Sequence, residues 1–133
     1  MPRVVLDPGV LVSALITPTG TPARILAEAR SGRFQLIVSP LLLDELREVL
    51  RRDKFRPYVA LDVVDDFLAL LRHDALLAED PTDLPPLRST DPDDDYLIGL
   101  AHSQDALLVS GDNHLLDLAD SAPILTPAQL LAD

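Results

Sequence analysis

The chain contains no cysteine among its 133 residues. This absence excludes a disulfide framework and any metal site that is built on thiolates. Histidine is scarce too, and neither His73 nor His102 has an acidic or histidine partner at the spacing of a metal site. No apolar run approaches the roughly 18 residues that span a bilayer, and Asp7 interrupts the first apolar run, which does not fit a signal peptide. We therefore expect a cytoplasmic protein that does not enter a membrane.

Positive charge is also in short supply, with 11 Lys and Arg against 22 Asp and Glu and a net charge of -11. This balance is opposite to that of a domain that binds nucleic acid through counterion release alone. The acidic residues are either simply solvated, as in most acidic proteins, or some of them cluster and bind cations that bridge to a phosphate-bearing substrate. Five basic residues fall within ten positions, and a solvated helix face is favoured over a phosphate-contacting edge for them: Arg47, Arg51, Arg52, Lys54 and Arg56.

Short apolar segments that are predicted to be strands alternate with segments of helical periodicity. The strands are expected at 3–7, 34–38, 76–77, 106–110 and 124–125. The helices are expected at 10–16, 22–30, 40–52, 61–72, 93–103 and 113–118, with a last one after Pro127. Thr21 and Ser39 are predicted to be the N-caps of the second and third helices. This order predicts an α/β protein, a three-layer α/β/α sandwich with a central, mainly parallel sheet, as a single domain over residues 1–133.

Two acidic residues directly follow predicted buried strands. Asp7 comes after the apolar run 4–6, and Asp112 comes after the run 107–111. Because the carboxyl ends of parallel strands meet at one edge of the sheet, where ligands bind, both are candidate site residues. Each of them could instead cap the helix that follows it, which is a common position for aspartate. The residues themselves leave both roles open.

A third acidic residue is selected by helical geometry at about 100° per residue. In the helix that begins near position 40, Glu45 points between Leu41 and Val49, on the flank of the apolar face. Asp44 and Glu48 point to solvent. A carboxylate on an apolar flank is costly unless a charged group meets it, so Glu45 is a candidate site residue.

The fourth candidate lies in the acidic run that precedes the helix at 93–103. Asp94 points between Ile98 and Ala101, inside the apolar arc of that helix, whereas Asp95 points about 100° away. An acidic helix start favoured by the helix dipole explains Asp91 well, but it explains an inward-facing Asp94 poorly.

Several carboxylates that cannot all be solvated suggest a magnesium or manganese site, because hard cations take oxygen ligands. Such a site suits phosphodiester hydrolysis. Ser13 and Ser110 lie near the same predicted edge, where they either orient carboxylates or are ordinary polar positions. His114 is interpreted as a surface residue, and Tyr96 as a residue on the flank of its helix.

Five segments of the chain resemble, in the correct order, the motifs of PIN-domain ribonucleases. They are 4–15, 39–46, 91–97, 108–116 and 123–127. The match extends over the whole chain, and the subgroup that it resembles is the toxin component of bacterial toxin–antitoxin pairs, related to VapC toxins. The resemblance implies a PIN-like fold with Asp7, Glu45, Asp94 and Asp112 as catalytic and metal-binding residues. Beside them, Asp91, Asp95, Ser13 and Ser110 are candidate secondary residues of the site.

The same resemblance implies the activity and its partners. The expected function is a metal-dependent endoribonuclease that uses Mg²⁺ or Mn²⁺ to cut RNA, is held by a cognate antitoxin protein and forms a homodimer. One departure from the family stands in the first motif, where Pro8 and Gly9 replace the usual Thr and Asn. The alternative is therefore a catalytically weakened PIN domain that acts as an RNA- or protein-binding module. A phospho-acceptor signalling domain would also gather aspartates at a sheet edge, but it needs a lysine after a late strand, and the only lysine is Lys54.

Overall fold

A computed structural model of the chain describes residues 1–82 and 95–132. One sheet of five parallel strands forms its centre. The strands are β1 Arg3–Leu6, β2 Gln35–Val38, β3 Leu76–Leu77, β4 Leu107–Val109 and β5 Ile124–Leu125. Their order across the sheet is β3-β2-β1-β4-β5, so the chain first builds to one side of β1 and then crosses back to the other.

Helices connect the strands and cover the sheet. They are α1 Pro8–Ile16, α2 Thr21–Arg30, α3 Pro40–Leu50, α4 Leu61–Asp74, α5 Asp95–Ser103, α6 Asn113–Leu116 and α7 Pro127–Ala132, with a short 3-10 helix at Asp53–Phe55. Helices α1 to α4 lie in the connections that move the chain from β1 towards β3. Helices α5 and α6 lie in the connections that move it in the opposite direction, towards β5. Right-handed crossovers then place the two groups on opposite faces of the sheet. The predicted α/β sandwich with a parallel sheet is confirmed; that residues 1–133 form one domain stays a prediction.

Strand β1 lies in the middle of the sheet. Its residues are apolar and buried on both faces, as is usual in parallel sheets. Val4, Val5 and Leu6 have no exposed surface. The register between β1 and β4 pairs Leu6 with Val109. The residues that come next on the two strands, Asp7 and Ser110, therefore emerge side by side at the carboxyl edge of the sheet.

The helix starts show how the sequence fixes the connections. The hydroxyl of Ser39 accepts a hydrogen bond from the backbone N–H of Leu42 at 3.2 Å, so the predicted cap of α3 is confirmed. The predicted cap of α2 is wrong, because Gly20 and not Thr21 is its N-cap. The carbonyl of Gly20 already accepts the N–H of Arg24, and a Cβ at Gly20 would lie 3.2 Å from the methyl group of Thr17. The close turn before α2 thus places a glycine at the cap and moves the threonine into the helix.

The basic stretch from the last turn of α3 onwards has the exposure expected of a solvated face at four of its five positions. Arg47, Arg51, Arg52 and Lys54 are exposed. Arg56 differs, because it is half-buried and its Nη2 donates to the carbonyl of Leu50 at the carboxyl end of α3. A cation is favourable at that end of a helix.

A search of the described residues for membrane-spanning helices finds no single helix of sufficient length and apolarity. Only α1 and α2 taken together reach the required length and composition, and the pair is bent by 94°.

Candidate active site

A cleft of about 530 Å³ opens at the carboxyl edge of the sheet, where β1 and β4 end. Three carboxylates line it, those of Asp7, Glu45 and Asp112. Its apolar walls come from five different helices: Pro8, Val10, Pro22, Val49, Leu97 and Pro127. The described lining contains no lysine or arginine. Negative charge in this cleft is therefore not balanced by a lysine or arginine of the described lining.

Asp7 lies at the base of the cleft and is buried, with 6% of its surface exposed. Its Oδ1 accepts the backbone N–H of Val10 at 2.9 Å, which makes Asp7 the N-cap of α1. Its Oδ2 accepts the hydroxyl of Ser110. Burial raises the pKa of the Asp7 carboxyl, the bonds from Ser110 and Val10 oppose that rise, and the nearby charge of Asp112 adds to it. The sequence left two roles open for Asp7, a helix cap and a site carboxylate. In the structure, Asp7 caps α1 and lines the cleft in the same conformation.

Ser110 links the two strand-end acids. It has no exposed surface, and its hydroxyl both donates to Asp7 and accepts the backbone N–H of Asp112 at 2.9 Å. Because the N–H of Asp112 occupies one lone pair of the hydroxyl, the proton of Ser110 is directed towards Asp7. This is the geometry of a residue that orients a carboxylate. Ser13, the other candidate serine, is half-buried in the wall of the cleft.

Asp112 is the N-cap of α6 and is less buried than Asp7. Its Oδ1 accepts the backbone N–H of His114 at 2.9 Å, and its side chain is 42% exposed. The imidazole Nδ1 of His114 lies 3.5 Å from the same oxygen. His114 is exposed, as its interpretation as a surface residue requires, but it also approaches a candidate site carboxylate.

Glu45 enters the cleft from α3. It is half-buried, whereas its neighbours Asp44 and Glu48 are exposed, as helical phase predicts. The hydroxyl of Tyr96 on α5 donates to Oε2 of Glu45. Sequence reasoning missed this contact, because it interpreted Tyr96 only as a residue on the flank of its helix. The partner lies 51 positions away in the chain, so no local pattern in the sequence indicates this contact.

The remaining acidic candidates belong to the third motif. Asp91 and Asp94 lie outside the described residues. Asp95 is the first residue of α5 and is half-buried, which is less exposed than an outward-pointing residue would be. The structure thus brings together three of the four principal candidates and does not describe the fourth.

The carboxylates that the structure describes have the chemistry of a magnesium or manganese site. In residues 1–82 and 95–132, no three acidic or histidine side chains are close enough to hold a metal by themselves. Mg²⁺ does not require such a cage, because it is usually held by one or two carboxylates, with waters and substrate phosphates as the other ligands. Asp7 and Asp112 line the same cleft, and the charge of Asp112 acts on Asp7, so two carboxylates are available to such a cation. The donor set therefore fits the metal that the sequence suggests.

Comparison with known proteins identifies the family. A model of the PIN domain matches residues 3–114. The chain belongs to the PIN domain family. The resemblance that the motifs suggest is thereby confirmed, and PIN domains are generally nucleases.

Three known proteins are similar to this PIN domain, one in sequence and two in structure. It is 29% identical over 123 residues to the uncharacterised protein MJ1680 of Methanocaldococcus jannaschii, a match that covers 89% of this chain and 76% of that protein. PAE2754 of Pyrobaculum aerophilum has a similar structure, with a TM-score of 0.64 at 18% identity over 98% of this chain and 88% of the other. VapBC2 of Rickettsia felis, whose structure is bound to a DNA fragment from its promoter, gives a TM-score of 0.64 at 14% identity over 92% of this chain and 96% of the other. These two structures share the fold.

Proposed function

We propose that this PIN domain is a metal-dependent endoribonuclease that hydrolyses RNA phosphodiester bonds, as the toxin of a toxin–antitoxin pair. The observation that carries the proposal is the cleft in which Asp7, Glu45 and Asp112 converge without a basic residue among the described lining. A phosphodiester cannot approach such a cleft unless cations neutralise the carboxylates. Membership of the PIN domain family, whose members are generally nucleases, supports the same conclusion.

The proposed metal ligands are Asp7, Asp112 and Asp94, with Glu45 as a further ligand or as a group that positions water. When bound, Mg²⁺ or Mn²⁺ would supply a hydroxide near neutral pH and stabilise the charge on the leaving oxygen. Secondary roles are proposed for Asp91, Asp95, Ser13 and Ser110.

The chain's own groups prepare this cleft in two ways. Ser110 and the N–H of Val10 bind both oxygens of Asp7, so its carboxylate is held in one orientation before any ligand arrives. Asp7 is also buried, and low local polarity strengthens the charge interactions of its carboxylate.

The proposed partners follow from the charge and from the family. An acidic cleft suits a basic segment of an antitoxin, because complementary charge steers association and fixes orientation. The structural likeness to VapBC2 of Rickettsia felis is compatible with such a partner. We further propose a homodimer that acts in the cytoplasm. Light scattering at micromolar concentration tests the dimer, and binding assays with the product of each small neighbouring reading frame test the antitoxin.

The activity is tested by incubating purified protein with a mixed RNA pool in Mn²⁺, in Mg²⁺ and in chelator. We expect cleavage with either metal, no cleavage in chelator, and recovery when the metal is restored in excess. Asp112→Asn serves as the inactive variant and Asp44→Asn as its exposed control. Undiminished cleavage in chelator, or equal cleavage by Asp112→Asn, would contradict the proposal.

The binding-module alternative is motivated by the first motif. Pro8 and Gly9 line the cleft beside Asp7 in place of the Thr and Asn of the family, so a polar group is missing there. This alternative predicts that the chain retains RNA in gel-shift assays, that chelator does not release it, and that no metal produces cleavage. If all three results are obtained, the binding-module alternative replaces the nuclease proposal.

A further inference from the structure

The hydrogen bond between Tyr96 and Glu45 joins two helices from opposite faces of the sheet across its carboxyl edge. Tyr96 lies in the first turn of α5 and Glu45 in the middle of α3, 51 positions apart. Both side chains are half-buried, and the phenol donates to Oε2 of the carboxylate. Within the described residues, the phenol thus holds the carboxylate through Oε2.

Glu45 needs this restraint more than the other two cleft acids do. Asp7 and Asp112 are short side chains at strand ends, and each accepts a backbone N–H at a helix start. Glu45 has one more rotatable bond and projects from the middle of a helix, where no backbone N–H is free to bind it. Within the described part of the chain, the Tyr96 phenol is the group that orients the Glu45 carboxylate.

Tyr96 contacts Glu45 but is not itself among the described residues that line the cleft. Leu97, the next residue, contributes to the wall of the cleft, whereas Tyr96 is absent from the described lining. A direct contact between Tyr96 and a substrate in the cleft is therefore disfavoured by position. A hydrogen bond to a metal-binding carboxylate fixes its orientation, and the loss of such a bond typically costs about 10–100-fold in metal affinity or activity.

We propose that Tyr96 is a positioning residue that holds the Glu45 carboxylate in the orientation needed to serve the divalent cation. The inference rests on the proposed metal-dependent function. It predicts that loss of the Tyr96 hydroxyl lowers the metal affinity and the rate of cleavage at limiting metal. It predicts no change in the binding of RNA.

The chain offers a direct spectroscopic test, because it has two tyrosines and no tryptophan. Tyr58, the other tyrosine, is 68% exposed, follows the short 3-10 helix and is not among the described residues that line the cleft. In Tyr58→Phe, Tyr96 is therefore the only source of tyrosine fluorescence. We expect Mn²⁺, a paramagnetic quencher, to quench this emission saturably, and we expect Mg²⁺ to reverse the quenching by competition. Glu45→Gln in the same background should change the emission of Tyr96 without metal, which tests the contact while leaving the phenol intact.

The decisive comparison is Tyr96→Phe against Tyr58→Phe, with Mn²⁺ binding measured by calorimetry and cleavage measured over a range of Mn²⁺. Tyr96→Phe should raise the dissociation constant for Mn²⁺ roughly 10–100-fold, lower cleavage at limiting Mn²⁺ and recover it at saturating Mn²⁺, with KM for RNA unchanged. Tyr58→Phe should match the natural chain in all three. In the double variant with Glu45→Gln, the loss of the phenol should have no further effect on Mn²⁺ affinity, because its partner is gone.

Three results would overturn the inference. Equal Mn²⁺ affinity in Tyr96→Phe and the natural chain would remove the positioning role while leaving the nuclease proposal standing. A raised KM for RNA with unchanged Mn²⁺ affinity would make Tyr96 a substrate contact. Failure of the natural chain to bind Mn²⁺ would remove both proposals together.

Discussion

The hydroxyl of Ser110 donates a hydrogen bond to the carboxylate of Asp7, a residue 103 positions earlier in the chain. The contact exists because β1 and β4 are adjacent and pair Leu6 with Val109, so that the next two residues meet. Both residues are buried, where a hydrogen bond to a charged group contributes more than it does in water. The ends of the two central strands are thus coupled through one side chain.

Removing this hydroxyl is expected to weaken the site and the fold together. In Ser110→Ala, Oδ2 of Asp7 loses a donor while remaining buried, which should lower the free energy of unfolding by about 1–3 kcal/mol at neutral pH. The Ser110 bond lowers the pKa of Asp7, so its loss should shift the pH at which Mn²⁺ binds to higher values, because the proton competes with the metal more effectively. Urea unfolding and calorimetric titrations at several pH values measure the two effects.

Ser110→Thr is the matched control for that experiment, since it keeps the hydroxyl. It should retain Mn²⁺ binding at the pH of the natural chain, with a modest loss of stability from the added methyl group in a packed position. If the pH at which Mn²⁺ binds rises equally in Ser110→Thr and Ser110→Ala, then packing, and not the hydrogen bond, controls the protonation of Asp7.

A second prediction concerns Asp7 and the pH dependence of stability in the absence of metal. Burial raises the pKa of Asp7 above its ordinary value of 3.8, so the folded state holds this proton more tightly than the unfolded state does. As pH rises from 3.8 through the folded pKa, this residue therefore lowers the stability of the natural chain. Asp7→Asn should be more stable than the natural chain at pH 7, and the difference should disappear below pH 3.8, where Asp7 is protonated in both states.

Thermal unfolding of Asp7→Asn and the natural chain between pH 3 and pH 8, in chelator, tests this prediction. Asp44→Asn, at an exposed position, serves as the control and should show no such pH-dependent difference in stability from the natural chain. The same Asp7 variant should lose cleavage on the order of 1,000-fold, as expected when several kcal/mol of metal-based stabilisation are removed. A variant less stable than the natural chain at pH 7 would contradict the sign derived from burial.

How much of this site the sequence predicts depends on the range of each contact. Asp7 at the end of β1 and Glu45 on the flank of α3 follow from local periodicity, because a strand end and a helical phase are set by neighbouring residues. The roles of Ser110 and Tyr96 depend on partners 103 and 51 positions away, which no local pattern encodes. The wrong cap at Thr21 has the opposite cause, a local turn whose crowding at Gly20 cannot be recognised from residue preference alone.

A third prediction compares two adjacent acids on α3. Glu45→Gln should reduce cleavage by at least roughly 100-fold, because it removes a carboxylate that lines the cleft and accepts the Tyr96 hydroxyl. Asp44→Asn should change cleavage less than about twofold, because Asp44 is exposed on the other side of the helix. Single-turnover cleavage at saturating Mn²⁺ measures both. Comparable losses in the two variants would mean that the charge of α3 matters and not the position of Glu45.

The last prediction concerns Gly9, which stands where the family carries asparagine and lies in the first turn of α1. A Cβ at this position would lie 3.2 Å from Oδ1 of Asp7, the oxygen that caps the helix, so any side chain there displaces that carboxylate by a few tenths of an ångström. Gly9→Ala gains helix propensity of up to about 1 kcal/mol, but it should weaken Mn²⁺ binding because Asp7 moves.

Gly9→Asn has the same Cβ contact and adds an amide that faces the cleft. If the missing amide limits catalysis, Gly9→Asn should cleave RNA faster than Gly9→Ala, and faster than the natural chain if the amide more than offsets the displacement of Asp7. Single-turnover rates at saturating Mn²⁺ with calorimetric Mn²⁺ affinities separate the two effects, and equal rates for the two variants would show that the amide has no role in this chain.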